Sequence, residues 1–330
     1  MPVITDVPTK EWEEFYKSHT EIPILQSPSM YQVWARTRGL TPEVLFFVES
    51  GAVRGSLLSV RQVWGRRAVA RFFSRYLIQA GPQGDLGALR PLLQEHRRLA
   101  RRNSIFSEVR PILPNHSLNE IALSCGFRPE PYLNFVLELS KGESELWNSM
   151  SRSRRRNIHS AEQLGLSIRD VTCDKDVLQF HGLVHQTYSR AGLPSPDPTL
   201  FLAANEVFGP RGEWIAVCVL EDSTPVAARA VLVSDGVLHD WYAGSSDRGR
   251  DLHADEWLVW QLLRRGIARS ARMFEFGGSG PVGGGYGPGE FKRRFGGREE
   301  RPGRMVAVYR PLEYVVGRVG WKTMSQIRGR

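Results

Sequence analysis

A chain of 330 residues with 41% hydrophobic and 24% charged residues is globular in composition and suits two domains of roughly 150 residues each, which excludes an intrinsically disordered chain. Its formal charge of +9 favours a polyanionic partner, whether nucleic acid, a membrane surface or a phosphorylated substrate, without choosing among them. Cys125, Cys173 and Cys218 lie far apart in or beside apolar stretches, so they are expected as buried thiols in a reducing compartment, with no disulfide or zinc framework.

The opening MPVITDVPTKEWEEFY has no basic segment followed by an apolar one, and no run approaches membrane-spanning length. This predicts a cytoplasmic protein without an integral membrane segment, although the charge is compatible with peripheral membrane contact. Residues 44–60, VLFFVESGAVRGSLLSV, read as strand, tight turn, strand. From Leu86 a helical pattern follows and ends in an apolar run, LGALRPLLQEHRRLARRNSIFSEVRP.

Ser140 and Glu143 have capping-box spacing, and the helix they open is expected to run to Gly165. At 100° per residue, Leu146, Met150, Ile158, Ala161 and Leu164 fall on one side and Arg152, Arg155, Arg156 and His159 on the other. The second group is either a solvated helix face or a contact for RNA or phosphate. Arg154 points to the apolar side and needs a buried acidic or carbonyl partner. His181 and His185 stand i, i+4 apart on a helical pattern, HGLVHQTYSR, but have neither a third ligand nor a general-base glutamate, so no metal site is expected.

Residues 214–233, WIAVCVLEDSTPVAARAVLV, repeat the strand, turn, strand pattern, and from Ala254 a helix again leads into an apolar run, ADEWLVWQLLRRGIARSARMFEFGGS. With Phe106 set opposite Phe274, two copies of one α/β unit emerge, against the competing account of chance likeness between amphipathic helices followed by strands.

Residues 277–297, GGSGPVGGGYGPGEFKRRFGG, are the most unusual stretch. Such glycine density permits close backbone approach to something. No Gly-Lys-Ser/Thr ends it and no Gly-x-Ser-x-Gly elbow lies in it, so both the P-loop and serine-hydrolase readings fail. Lys292, between Phe291 and Phe295, is placed to hold its ammonium at a partly desolvated site where developing negative charge would be stabilised. A surface lysine in a basic cluster with Arg293 and Arg294 is the alternative. No nucleophilic triad is indicated.

The chain resembles the FemABX aminoacyltransferases, which transfer amino acids from aminoacyl-tRNA to peptidoglycan-precursor peptides, and their GNAT-like relatives. The likeness is carried by LQSPSMYQVW (25–34), IQAGPQGD (78–85), RRNIHSAEQLGL (155–166), HQTYSRAG (185–192), DWYAGSSD (240–247) and GEFKRRFGG (289–297), in the family's order. It implies a mixed α/β fold of two tandem GNAT-like domains, residues 1–140 joined by 306–330 folding back, and residues 141–305. It implies the compact form, without the long helical hairpin that some members insert.

By the same resemblance Lys292, in the Phe-Lys motif that begins at Phe291, is the catalytic residue, stabilising charge on the aminoacyl ester. Arg190 matches an arginine that binds the diphosphate of a nucleotide-linked acceptor, and Trp34 and Tyr242 fall near acceptor-site aromatics. Gln32 stands where some members carry a second phosphate-gripping lysine, which weakens the case for a UDP-linked precursor. The implied partners are aminoacyl-tRNA, as co-substrate with no cofactor, and an amine-bearing acceptor, phosphorylated or nucleotide-linked forms included. Arg152, Arg155, Arg156, Arg293 and Arg294 are candidates for tRNA contact, and Asp240 and Asp247 are carboxylates near the acceptor.

Two other functions compete. An acyl-CoA-dependent GNAT N-acyltransferase would share the fold, but its glycine-rich pyrophosphate loop is expected between Gly244 and Glu256, where SSDRGRDLHADE offers one glycine. A non-catalytic RNA- or precursor-binding protein would keep the scaffold and its basic face.

Overall fold

The computed structural model describes residues 3–5, 7–63, 74–280 and 287–317. Along the chain the strands are β1 (Val3–Ile4), β2 (Leu40–Glu49), β3 (Ala52–Val63), β4 (Ser74–Gln79), β5 (Gln83–Gly84), β6 (Phe106–Arg110) and β7 (Arg128–Glu130). They continue as β8 (Asn134–Glu138), β9 (Ser167–Asp170), β10 (Trp214–Glu221), β11 (Thr224–Ser234), β12 (Val237–Ser245), β13 (Met273–Gly278), β14 (Arg298–Glu300) and β15 (Arg304–Val308). Two sheets result, in two compact units: the described residues of 3–132 and 301–317 form one, those of 133–300 the other. This is the mixed α/β, tandem GNAT-like architecture expected.

Each unit is an antiparallel meander whose last strand gains a parallel neighbour through a helical crossover. In the first the order is β1-β2-β3-β4-β6-β15-β7, with β5 also on β3; in the second it is β14-β8-β13-β12-β11-β10-β9. The crossovers are the helices Leu86–Ala100 and Ala254–Ala268. Three of the meander turns have two residues, both at positive φ: Ser50 and Gly51, Asp222 and Ser223, Asp235 and Gly236. Small and acidic residues tolerate that left-handed conformation, and its twist matches the strands that it joins.

The first sheet packs Leu45, Phe47, Leu57, Ile78 and Val109 against Leu92 and Leu93 of its crossover helix and Leu118 and Ala122 of the helix His116–Ser124. In the second, Val217, Val231, Leu238, Phe274 and Phe276 pack against Ile158 and Ala161 of the helix Arg152–Glu162 and Leu258 and Leu262 of the crossover. The other face meets the helix Asp174–Arg190 at Gly244, where a Cβ would lie 2.3 Å from the Val184 nitrogen.

The two parallel pairs differ. β4 and β6 stay in register from Arg75 with Phe106 to Gln79 with Arg110, and the Ala80 N–H extends the ladder to the Arg110 carbonyl at 2.9 Å. β12 and β13 pair only over Val237–His239 and Met273–Glu275. Beyond them β12 continues along β11 to Ser245, while Gly277 turns at φ +69° and Gly278 pairs with Asn134 of β8. The second sheet therefore opens at its centre.

Four expectations need correction. The first unit ends at Tyr132, earlier than residue 140, because β8 is claimed by β13 and β14 of the second sheet. The single helix expected from about 143 to 165 is two, Glu143–Ser149 and Arg152–Glu162, broken where Met150 is extended (ψ 148°) and the Ser151 side chain caps the Arg154 N–H. Ser140 caps nothing; it lies in a 3-10 turn, and Gly142 at φ 80° precedes the first of these helices. Cys173 is exposed, at the start of the Asp174–Arg190 helix, whereas Cys125 and Cys218 are buried free thiols. No long helical hairpin is inserted among the described residues. β15 lies between β6 and β7; of the expected fold-back, residues 318–330 lie outside the described residues.

Candidate active site

The opening between β12 and β13 is where polar side chains of the second unit converge. A strand that turns away from its neighbour leaves carbonyls without ladder partners, and these must be satisfied otherwise. Lys292, on the helix Gly287–Arg293, does this: its ammonium donates to the carbonyls of Phe276 at 2.6 Å, Gly277 at 3.2 Å and Gly278 at 2.9 Å. The helix is held by Phe291 and Phe295, which pack in the core, and by Gly296 at φ +81°, where a Cβ would lie 2.5 Å from the Ser149 carbonyl oxygen. Burial pulls the Lys292 pKa down to about 8 against the favourable charges of Asp240 and Glu275. Residues 281–286 of the glycine tract lie outside the described residues.

On the side of the sheet facing the crossover helix, Arg229 of β11 is buried between two carboxylates. It bonds Asp240 of β12 through Oδ2 and both oxygens of Asp255 at 2.8 and 3.0 Å. Those charges hold the guanidinium protonated despite its burial. The second Asp240 oxygen, Oδ1, is buried without a hydrogen-bond partner among the described residues. Burial raises the Asp240 pKa, opposed by Arg229 and Lys292.

Arg154 finds both kinds of partner that its place on the helix requires. It is 3% exposed, ion-paired to Glu256 at 2.9 Å, and donates to the Phe291 carbonyl at 3.0 Å. Its guanidinium also lies 4.4 Å from the ring centroids of both Phe291 and Phe295. The helix bearing Lys292 is thus fastened to the helix bearing the arginine ridge.

On the opposite face is a pair that sequence reasoning missed. His239, the last β12 residue in register with β13, bonds Glu275 through Nδ1 at 3.2 Å. The other Glu275 oxygen accepts from Asn134 at 2.6 Å and from the Gly277 N–H at 2.7 Å. Burial would raise the Glu275 pKa, but His239, Asn134 and Lys292 together hold it below the ordinary range. The only sequence signal was the polar residues inside two otherwise apolar strands, His239 with Asp240 in LHDWYAG and Glu275 in FEFGG, too far apart to be paired without the fold.

The remaining candidates are dispersed. Tyr242 sits in an aromatic group with Phe201 at 5.0 Å and Trp241 at 5.1 Å between ring centroids. Arg190 is turned inward onto the Ser245 carbonyl, bonds Thr187 at 3.2 Å and pairs with exposed Asp247 at 3.3 Å. Gln32 and Trp34 belong to the first unit, on the helix Pro28–Ala35, with Trp34 buried and Gln32 half-buried. Arg152 and Arg156 are exposed and Arg155 half-buried, and none has an ion-pair partner among the described residues. Arg293 and Arg294 are exposed but share Glu290, at 2.8 and 3.0 Å. His181 bonds the Pro196 carbonyl at 3.0 Å and His185 is exposed; among the described residues no group of side chains could hold a metal ion.

The segment leading into the crossover helix shows how that helix begins. Ser246 caps the short helix Asp247–Asp251, and Gly249 is pressed onto β11, where a Cβ would lie 2.1 Å from the Val226 carbonyl oxygen. His253 precedes the crossover at φ 56°. The first turn carries Asp255 and Glu256, bonded to Arg229 and Arg154.

Residues 148–293 match the family model described as acetyltransferase (GNAT) domain, which makes this part of the chain a GNAT-fold acyltransferase domain. The span includes Arg154, Arg229, His239, Asp240, Glu275 and Lys292. By sequence, no curated protein matches the chain. Among solved structures it is similar to FemX, at 15% identity and a TM-score of 0.70 over 96% of this chain and all of that one. It is similar too to the C-terminal domain of a putative lysylphosphatidylglycerol synthetase from Agrobacterium fabrum, at 13% identity and 0.59 over 94% of each. A tandem GNAT protein from the clavulanic acid biosynthesis pathway matches at 12% identity and 0.59 over 91% of this chain and 94% of that one. At such identities the likeness establishes the fold.

Proposed function

We propose that the protein moves an amino acid from aminoacyl-tRNA to an amine of a peptidoglycan-type precursor or small amine-bearing metabolite, forming an amide bond in the cytoplasm. The observation that carries the choice of donor is the start of the crossover helix. A helix N-terminus receives a pyrophosphate through free backbone amides and small residues. Here the first turn presents Asp255 and Glu256, and Gly249 is consumed in packing. Ion-paired to Arg229 and Arg154, these two side chains occupy the turn that would have to close round the pyrophosphate of acyl-CoA. The exposed Arg152 and Arg156, unpaired among the described residues, suit an RNA backbone instead.

The chemistry asks for placement and charge. The acceptor amine attacks the ester carbonyl, the carbonyl oxygen becomes an oxyanion, and the C–O bond to the ribose breaks as the ribose oxygen takes a proton. Lys292 supplies positive charge where β12 and β13 part. Its bond to Gly278 is the most exposed of the three, and exchanging that neutral acceptor for an oxyanion gives a stronger, charge-assisted bond. No cofactor is required, because the ester is already activated. FemX and the synthetase domain, by their names, are the neighbours that support this reading.

Acyl-CoA-dependent N-acylation is the second reading, favoured by the acetyltransferase description of the matching family model. Total tRNA charged with labelled amino acids, incubated with the protein and cell extract, separates them. Label transfer abolished by RNase and indifferent to CoA depletion supports tRNA; the reverse pattern establishes CoA.

A further inference from the structure

We infer that His239 is the proton acceptor of the transfer reaction, oriented by Glu275. The assignment rests on reading the second unit as an acyltransferase that acts on an amine, and it holds whichever donor serves.

Bonding of Nδ1 to Glu275 makes Nδ1 the protonated nitrogen and leaves the Nε2 lone pair available. Glu275 cannot swing away, because Asn134 and the Gly277 N–H hold its other oxygen. The ring is therefore fixed in tautomer and direction, as a carboxylate fixes the imidazole in a hydrolytic triad. Nε2 has no partner among the described residues, and the side chain keeps 6% of its surface exposed. His239 closes the paired stretch of β12 and β13, and Glu275 is close enough to Lys292 to feel its charge. A charge-stabilising lysine and an oriented imidazole thus share Glu275 as a neighbour, at the point where the β12–β13 pairing ends. Asp240, the other carboxyl group there, is committed to Arg229 through Oδ2, and its Oδ1 is closed off from solvent.

In the step assigned, the amine nitrogen forms the C–N bond and its proton passes to Nε2. The C–O bond of the ester then breaks, and the departing oxygen, or the sulfur of a thioester, takes that proton from Nε2. The imidazole is restored and nothing is oxidised or reduced.

His239→Asn tests this, since the Asn amide nitrogen can stand in for the Nδ1 donor to Glu275 while the Nε2 base is lost. The expected result is a loss of label transfer of about 10²–10⁴-fold, with unchanged melting and unchanged retention of labelled aminoacyl-tRNA on filters. Glu275→Gln, which keeps the shape but not the charge, is expected to lose less. Wild-type protein treated with diethyl pyrocarbonate should carry a carbethoxyl group on His239 by peptide mass spectrometry. Wild-type transfer rates in His239→Asn would overturn the assignment, as would a His239 that stays unmodified in the native protein. If wild-type protein transfers label from neither donor, the acyltransfer reading falls and His239 has no such role; transfer from acyl-CoA alone displaces only the tRNA donor, and His239→Asn is then assayed with it. Should the variants fail to fold, the carbethoxylation of wild-type protein decides.

Discussion

Arg154 grips Phe291 twice, with its guanidinium 4.4 Å from the ring centroid and a hydrogen bond of 3.0 Å to the backbone carbonyl of the same residue. Phe291 immediately precedes Lys292, so the position of the ammonium depends on an arginine 138 residues earlier in the chain. Removing one member of a buried ion pair leaves the other uncompensated, at a cost of about 3–5 kcal/mol. Arg154→Ala is expected to show a destabilisation of that order in urea, while Arg152→Ala, altering an exposed residue one turn edge away, stays within about 0.5 kcal/mol of wild type. Equal effects of the two would refute the anchoring role.

The pH dependence of Lys292 has a definite sign. Its folded pKa of about 8 lies below the ordinary 10.5, so between these values the unfolded chain holds a proton that the folded chain has released. Stability from this residue therefore rises from pH 8 to 10.5 and is flat below and above. The wild type minus Lys292→Met difference in unfolding free energy should climb across that window; a flat difference would place the ammonium in bulk-like solvent.

Gly244 and Gly249 are packing glycines. An added methyl would meet the Val184 nitrogen at 2.3 Å in one case and the Val226 oxygen at 2.1 Å in the other, backbone contacts that cannot be relieved by a rotamer change. Gly244→Ala and Gly249→Ala should each lose about 1–3 kcal/mol or more. Gly182, helical and with open space around its Cβ position, should gain about 0.5–1 kcal/mol when replaced by Ala. Thermal melts of the three variants check the ordering, and a neutral Gly249→Ala would reopen a phosphate-binding role for that glycine.

The ridge arginines should act through charge alone. Arg152→Glu and Arg156→Glu are expected to leave the melting temperature unchanged and to weaken binding of charged tRNA. Each should make the plot of log affinity against log salt shallower by about 0.7–0.9, the contribution of one phosphate contact. Salt slopes equal to wild type would remove these residues from the RNA-binding surface.

Much of the fold was legible because periodicity is a local property. The meanders, their tight turns and both crossover helices follow from patterns within about twenty residues, and the need of Arg154 for a buried partner follows from its angle on one helix. What escaped depends on distant backbone. The break at Met150 reflects the capping of the second helix by Ser151, which competes with an uninterrupted amphipathic pattern. The inward turn of Arg190 onto the Ser245 carbonyl, and the pairing of His239 with Glu275, join residues 55 and 36 positions apart across packed elements. Nothing in local spacing announces such pairs.

The seat of β15 between β6 and β7 carries a consequence for biogenesis. A ribosome releases β6 and β7 before the strands of the second sheet, yet among the described residues they share no hydrogen bonds and must await Arg304–Val308, which follow all of those strands. This sheet is therefore completed only after every described strand of its sibling has emerged. During that interval two naked strand edges are exposed, and nascent chains stalled before residue 308 should be the species that chaperones and proteases recognise.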